Sequence, residues 1–194
     1  FHKYHSDISM KSFLEMLEEI REKLDAQRAF GRISFPYFIE KNAPVTSASG
    51  FMQYNCTYEG ESEMQENGVD SKFFVGIEVP VATLCPCSKA ISEFGAQRGC
   101  VKVKVLYSDF FWIEDIIEMI ENCASTPLYS VLKRQDEKFV TEHAYENPRF
   151  VEDMVREVYL GLKKMGFAWF KVECTNYESI HFHDAYACAE FGSC

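Results

Sequence analysis

The feature that most constrains this chain is the hexapeptide Leu84-Cys85-Pro86-Cys87-Ser88-Lys89, in which a proline separates two cysteines. Pro86 lacks a backbone N–H and favours an extended conformation at the residue before it. Alternating apolar residues at 72–81 predict a strand that leads directly into this hexapeptide. A Cys-Pro-Cys tripeptide closes its own disulfide poorly, so both sulfurs stay available. The alternative is that they are small buried apolar groups at a strand end.

Apolar periodicity in the rest of the chain predicts a mixture of helices and strands. Helical spacing predicts helices at 9–28, 88–94, 112–123 and 146–165. Two-residue alternation predicts strands at 31–40, 51–59, 72–81, 100–107, 167–175 and 184–191. Ser88 and Asn147 are expected to cap two helices, Gly166 to end the last, and Pro36 to mark an edge strand. The order predicts an α+β fold with largely antiparallel pairing.

Charge and cysteine content narrow the classes of function. The net charge of −10 argues against a nucleic-acid or anionic-membrane partner, although a local basic pocket can still bind an anionic small molecule. No apolar run approaches the roughly 18 residues of a membrane span. The eight cysteines suggest no disulfide framework, so we expect a reduced, cytoplasmic protein with one or two chemically active thiols.

Titratable residues gather in three further places. In Glu178-Ser179-Ile180-His181-Phe182-His183, an extended backbone would put both imidazoles on one side. Together with a cysteine, the glutamate and the histidines form a ligand set suited to Zn²⁺, or to Fe²⁺ or Mn²⁺. The alternative is that these residues are a chance cluster on the protein surface. The run 133–138 is either a solvated loop between helices or part of a site. Glu152 is either a helix-boundary residue or a binding group.

Three long segments, at 79–99, 132–156 and 178–186, carry a resemblance to a known family. They include Leu84-Cys85-Pro86-Cys87-Ser88-Lys89, Lys133-Arg134-Gln135-Asp136-Glu137-Lys138 and Ile180-His181-Phe182-His183-Asp184. In this order, and together with residues 33–38, they closely resemble the type IB GTP cyclohydrolases. The resemblance implies conversion of GTP and water to 7,8-dihydroneopterin triphosphate and formate, the first step of folate biosynthesis.

The same resemblance implies a fold and an assembly. The fold is the tunnelling fold (T-fold), which has two fused ββααββ-like modules with antiparallel sheets and helices on one face. Residues 1–194 would form a single compact unit, with the division between modules near 100–110. The chain would assemble as a homotetramer with active sites at subunit interfaces.

The resemblance also assigns roles to individual residues. The metal ligands would be Cys85, Glu137 and His181. The further catalytic positions would be Cys87, Glu178 and His183. Glu152 would anchor the purine, and proximity to the motifs suggests four cations for the triphosphate: Lys89, Arg98, Lys133 and Arg134. The metal would be a divalent ion, Zn, Mn or Fe.

One departure from the family pattern concerns the metal site. The family has Gly-Ala-His-Asn-Gln-Arg where this chain has Gly95-Ala96-Gln97-Arg98, so the family's histidine near the metal has no counterpart. Because the flanking motif is intact, we expect that the protein has two further loop residues between Ala96 and Gln97. A true deletion would weaken metal binding and activity.

Three other functions stay open. An archaeal-type cyclohydrolase of the same superfamily would give a cyclic phosphate product from GTP. A nitrile reductase of the same fold would use a cysteine nucleophile and NADPH, but Glu137 and the two histidines argue against it. A metal-stabilised binding module without catalysis would need a closed four-ligand site.

Overall fold

The computed structural model describes residues 9–92 and 95–193, and its strands form one antiparallel sheet. The elements in chain order are α1 (Met10–Lys23), β1 (Arg28–Asn42), β2 (Ser49–Gln65), β3 (Gly68–Leu84), α2 (Pro86–Ile91), β4 (Ala96–Leu106), α3 (Ile113–Cys123), β5 (Thr126–Pro127), α4 (Arg134–Glu146), α5 (Val151–Met165), β6 (Phe170–Asn176) and β7 (Ala185–Phe191). The strand order is β1-β2-β3-β4-β6-β7, and the short β5 pairs with β3. Helices cover one face, so the predicted α+β class is confirmed and the arrangement is T-fold-like.

The core lies between this sheet and the helices. Val101, Val103 and Val105 of β4 are buried, whereas Lys102 and Lys104 point to the opposite, helix-free face, as the alternation predicted. Helix α5 contributes a stripe of buried apolar residues at helical spacing: Val151, Met154, Val155, Val158 and Leu162. Each such side chain contributes about 1.5–3 kcal/mol through burial. The two-module division expected near 100–110 falls on or just after β4 and stays a prediction.

Several predicted boundaries need correction. Helix α1 has Ser9 as its N-cap and ends at Lys23 rather than at residue 28, because the chain turns through Asp25 (φ 47°) to enter β1. The run 133–138 is not a loop, since α4 begins at Arg134. Pro36 does lie in an edge strand, as predicted.

The caps of two later helices also differ from the prediction. Cys85, not Ser88, is the N-cap of α2. Asn147 is the C-cap of α4 rather than the start of the next helix, and α5 begins at Val151 after its N-cap Phe150. Gly166 ends α5 in the left-handed conformation (φ 88°), as predicted.

Within the described residues, every helix is too short or too polar to span a lipid bilayer.

A pair of glycines lets α1 approach the sheet. Gly31 of β1 and Gly60 of β2 are directly opposite each other in the antiparallel register. A Cβ atom at Gly60 would lie 2.8 Å from side-chain atoms of both Phe13 and Leu17, which are buried on α1. The two apolar side chains therefore occupy the space that larger residues at these positions would need.

We therefore predict that Gly60→Val lowers the free energy of unfolding by about 1–3 kcal/mol, the usual effect of overpacking. The control is Ser34→Val on the exposed face of β1, which should change stability by less than about 0.5 kcal/mol. Urea unfolding of the three proteins measures both effects. A Gly60→Val variant as stable as the parent chain would contradict this packing.

Candidate active site

The Cys-Pro-Cys segment lies where β3 ends and α2 begins. Cys85 is extended (φ −64°, ψ 124°), the conformation that Pro86 favours at the residue before it. Leu84 N–H donates to Ser125 Oγ over 3.0 Å, and Leu84 C=O accepts from Arg149 N over 2.9 Å. These bonds hold the residue before Cys85 from two sides, so the backbone that carries the thiols is well fixed.

The two thiols of this segment differ from the buried cysteines. Cys85 is half-buried and Cys87 is exposed, and both are free thiols. The pKa of Cys87 is raised mainly by its electrostatic interaction with the neighbouring Cys85, with smaller contributions from burial and from their hydrogen bond. Burial raises the pKa of Cys56 and of Cys174 to about 12, so those two thiols are inert.

A cleft of about 680 Å³ adjoins the Cys-Pro-Cys segment. It lies between the end of β3, the start of β4 and one face of α4. Its lining residues are Leu84, Gly95, Ala96, Thr141, Glu142, Tyr145 and Glu146. Glu137 precedes Thr141 and Tyr145 by four and eight residues, so it lies along the same face of α4. Leu84, next to Cys85, and Thr141, one helical turn after Glu137, therefore line the same cleft.

Asp136 fixes the start of α4. Its buried carboxylate accepts hydrogen bonds from Val45 N (2.9 Å), Thr46 N (2.8 Å), Thr46 Oγ1 (2.6 Å) and Lys133 N (2.9 Å). Burial opposes ionisation, but these bonds outweigh it and hold the pKa of Asp136 well below its usual range. The carboxylate therefore joins α4 to the β1–β2 turn.

This role was missed in the sequence because Asp136 lies in a run of charged residues that suggested a solvated loop. Its position three residues after the N-cap Lys133 was the available signal. With the start of α4 fixed, Lys133, Arg134 and Glu137 are all exposed to solvent around it.

A second buried polar group fixes the chain that leads to α4. Glu121 accepts hydrogen bonds from Tyr54 Oη (2.8 Å) and Lys41 Nζ (2.6 Å), and Lys41 also donates to Leu128 O (2.9 Å). Lys41 lies over the Tyr129 ring at 4.5 Å. Together these contacts tie β1, β2 and α3 to residues 128–129.

The two histidines lie on one side of the segment 177–184, as predicted. The rings of His181 and His183 stack with centroids 5.4 Å apart. The segment is a series of bends rather than a strand, and both histidines are exposed. Asp184 Oδ1 accepts from Glu178 N (3.2 Å), which closes the base of the segment.

The remaining predicted binding residues have different surroundings. Lys89 Nζ donates to Tyr145 O (2.7 Å) and lies 4.7 Å from the centre of the Tyr145 ring, so this lysine joins α2 to α4. Arg98 is exposed on β4. Glu152 is exposed in the first turn of α5.

The structure brings three predicted segments to the start of β4. Leu84, next to Cys85, pairs with Ala96, while Gln97 Nε2 donates to Glu178 Oε1 over 2.9 Å. Across residues 9–92 and 95–193, however, no three His, Cys, Asp or Glu side chains are close enough to hold a metal ion. The arrangement within one chain therefore does not unite Cys85, Glu137 and His181.

The departure from the family pattern also lies here. Ala96 and Gln97 are consecutive residues of β4, paired with Leu84 and Thr83 of β3. Strand pairing runs through both residues, and the expected additional loop between them stays a prediction. Gln97, which follows the missing pair, is the residue that contacts Glu178.

Comparison with a solved structure supports the fold alone. Urate oxidase from Bacillus sp. TB-90 superposes with a TM-score of 0.56 at 8% sequence identity, covering 99% of this chain and 75% of the urate oxidase chain.

Comparisons of sequence are more specific. A model of the type I GTP cyclohydrolase folE2 family matches residues 1–187. GTP cyclohydrolase FolE2 of Syntrophotalea carbinolica is 52% identical over 192 residues, which are 97% of this chain and 70% of the relative. The FolE2 proteins of Geobacter sulfurreducens (50% identical) and Fervidobacterium nodosum (47%) match 96% of this chain and 72% and 71% of their own lengths. The chain therefore belongs to the type I GTP cyclohydrolase FolE2 family.

Proposed function

We infer that this chain converts GTP and water to 7,8-dihydroneopterin triphosphate and formate, the entry to folate biosynthesis. The observation that carries this inference is the 52% identity to a FolE2 enzyme over 97% of the chain. The geometry supports it, because the Cys-Pro-Cys, α4 and 177–184 segments lie around the start of β4. The reaction removes C8 of guanine as formate.

We propose that Cys85, Glu137 and His181 hold a divalent metal ion, Zn, Mn or Fe. A thiolate, a carboxylate and an imidazole are a suitable donor set for these ions, and three protein ligands would leave a position open. The bound ion would supply a water molecule acidified toward neutrality for hydration at C8. Since the described part of one chain does not gather these donors, a neighbouring chain would complete the set.

Three residues around this site would handle protons. The exposed Cys87 thiol favours its protonated form, which suits a proton donor. Glu178 and His183 lie on the 177–184 segment and would carry protons to and from the opening ring.

The rest of the nucleotide needs an anchor for the base and cations for the phosphates. The Glu152 carboxylate would accept hydrogen bonds from the guanine N1–H and 2-amino groups. Lys133 and Arg134 are exposed at the start of α4, where the helix dipole also favours an anion. Arg98 is exposed on β4, and Lys89 would have to exchange its bond to Tyr145 O for a phosphate oxygen.

We also propose a homotetramer with interfacial active sites in the cytoplasm. The outer edges of β1 and β7 end the sheet without strand partners in the described chain. Phe30, Phe38 and Phe51 are exposed on or beside β1, and such aromatic side chains are typical of protein interfaces. The seven cysteines within the described residues are all free thiols, as in a reducing compartment.

Replacement of the proposed thiolate ligand tests the metal and the activity together. Cys85→Ala should lose both bound metal and formate release from GTP, because it removes the soft ligand of the set. Cys188→Ala, which removes an exposed thiol on β7, should retain both. Elemental analysis and a formate assay on the two variants decide the assignment, and a Cys85→Ala protein with normal metal and turnover would refute it.

Replacement of Glu152 by glutamine tests the purine anchor. Glu152→Gln puts an amide donor where guanine also donates, which should cost about 2–4 kcal/mol of transition-state binding. We expect kcat/KM for GTP to fall roughly 30- to 1000-fold, with metal content and Tm unchanged. Glu157→Gln, on an exposed position of the same helix, is the matched control. Unchanged kcat/KM in Glu152→Gln would show that this residue is a surface group.

The proposed homotetramer can be tested by its mass and by the effect of dilution on activity. Light scattering should give four times the mass of the chain, and activity per chain should fall when dilution dissociates the tetramer. Because the sites would need residues from more than one chain, an isolated monomer with full activity would contradict the proposal.

A further inference from the structure

Gln97 makes a hydrogen bond that none of the predicted roles explains. Its Nε2 donates to Glu178 Oε1 over 2.9 Å, in a partly buried contact between residues 81 positions apart. A carboxylate only accepts hydrogen bonds, so the amide nitrogen of Gln97 is the atom that must face it. The contact therefore fixes the rotamers of both side chains and leaves the second Glu178 oxygen available.

The hydrogen bond matters because Glu178 lies at the start of the loop that carries the two histidines. Glu178 lies directly before the bends that carry His181 and His183, and Asp184 closes the same loop by accepting a hydrogen bond from Glu178 N. Beyond this base the loop is highly exposed, with Phe182 fully accessible to solvent. A contact at Glu178 therefore holds the part of the loop that is attached to the sheet.

Strand β4 lies close to the start of the 177–184 loop. Tyr177 N donates to Arg98 O over 2.9 Å, next to Gln97. A Cβ atom at Gly99 would lie 2.9 Å from Thr175 O and 2.7 Å from Asn176 Oδ1. A glycine at position 99 therefore allows the end of β6 to lie close to β4, which brings Glu178 within reach of Gln97.

We propose that Gln97 is a positioning residue that orients the Glu178 carboxylate and, through it, the base of the loop carrying His181 and His183. This inference rests on the proposed function, in which those three residues act on GTP. A purely structural role for Gln97 would instead make it one of many contacts between β4 and the end of β6.

Two measurements on Gln97→Leu separate these roles. The substitution removes the amide donor and keeps a side chain of similar size. For a positioning residue, kcat should fall roughly 10- to 100-fold, KM should change less than about threefold, and Tm should stay within about 2 °C. Hydrogen exchange at 177–184 should become faster while the β3–β4 amides keep their protection. Gln53→Leu, on an exposed position of β2, should match the parent chain in every measurement.

A reciprocal exchange tests the hydrogen bond itself. Gln97→Glu alone places two carboxylates together and should speed exchange in the loop further. Gln97→Glu combined with Glu178→Gln restores a donor and an acceptor, so protection of 177–184 should return while kcat stays low, because the Glu178 carboxylate is lost.

The proposal is overturned if Gln97→Leu keeps parental kcat and loop protection, or if kcat falls only together with Tm. If the parent chain does not release formate from GTP, the proposed function fails. The exchange measurements still decide whether Gln97 positions the loop.

Discussion

The antiparallel pairing of β3 with β4 is the constraint on which the rest of the structure depends. Buried valines on both strands place this pair at the centre of the sheet and the core. The register sets Leu84 opposite Ala96, so the Cys-Pro-Cys segment and Gln97 meet at the same end of the pair. A shift of one residue would turn the valines away from the helices, which is why the register is strongly specified.

Buried carboxylates then attach the helices to this sheet at defined points. Asp136 joins α4 to the β1–β2 turn, and Glu121 joins α3 to Lys41 and Tyr54. A buried carboxylate is stable only when its oxygens are hydrogen-bonded, so each bond set selects one position for its helix. The exposed residues at the start of α4 owe their location to Asp136.

The parts of this structure that depend on regular periodicity were predictable. Alternating valines at 101–105 specified a strand, and Gly166 specified a helix end, because each follows from local backbone geometry. The start of α4 was missed because its Asp136 is stabilised by Val45 and Thr46, about ninety residues away in the chain. The site residues came from motifs, whereas the Gln97–Glu178 contact depends on strand register that no local pattern encodes.

The central claim is that the residues around the start of β4 open the guanine ring while leaving the triphosphate intact. Mass spectrometry of the products that the protein forms from GTP, with added Zn, Mn or Fe, tests this most directly. We predict one formate for each 7,8-dihydroneopterin triphosphate produced. A cyclic phosphate product would assign the chain to the archaeal-type reaction, and GTP left unchanged would contradict a catalytic site at this end of the sheet.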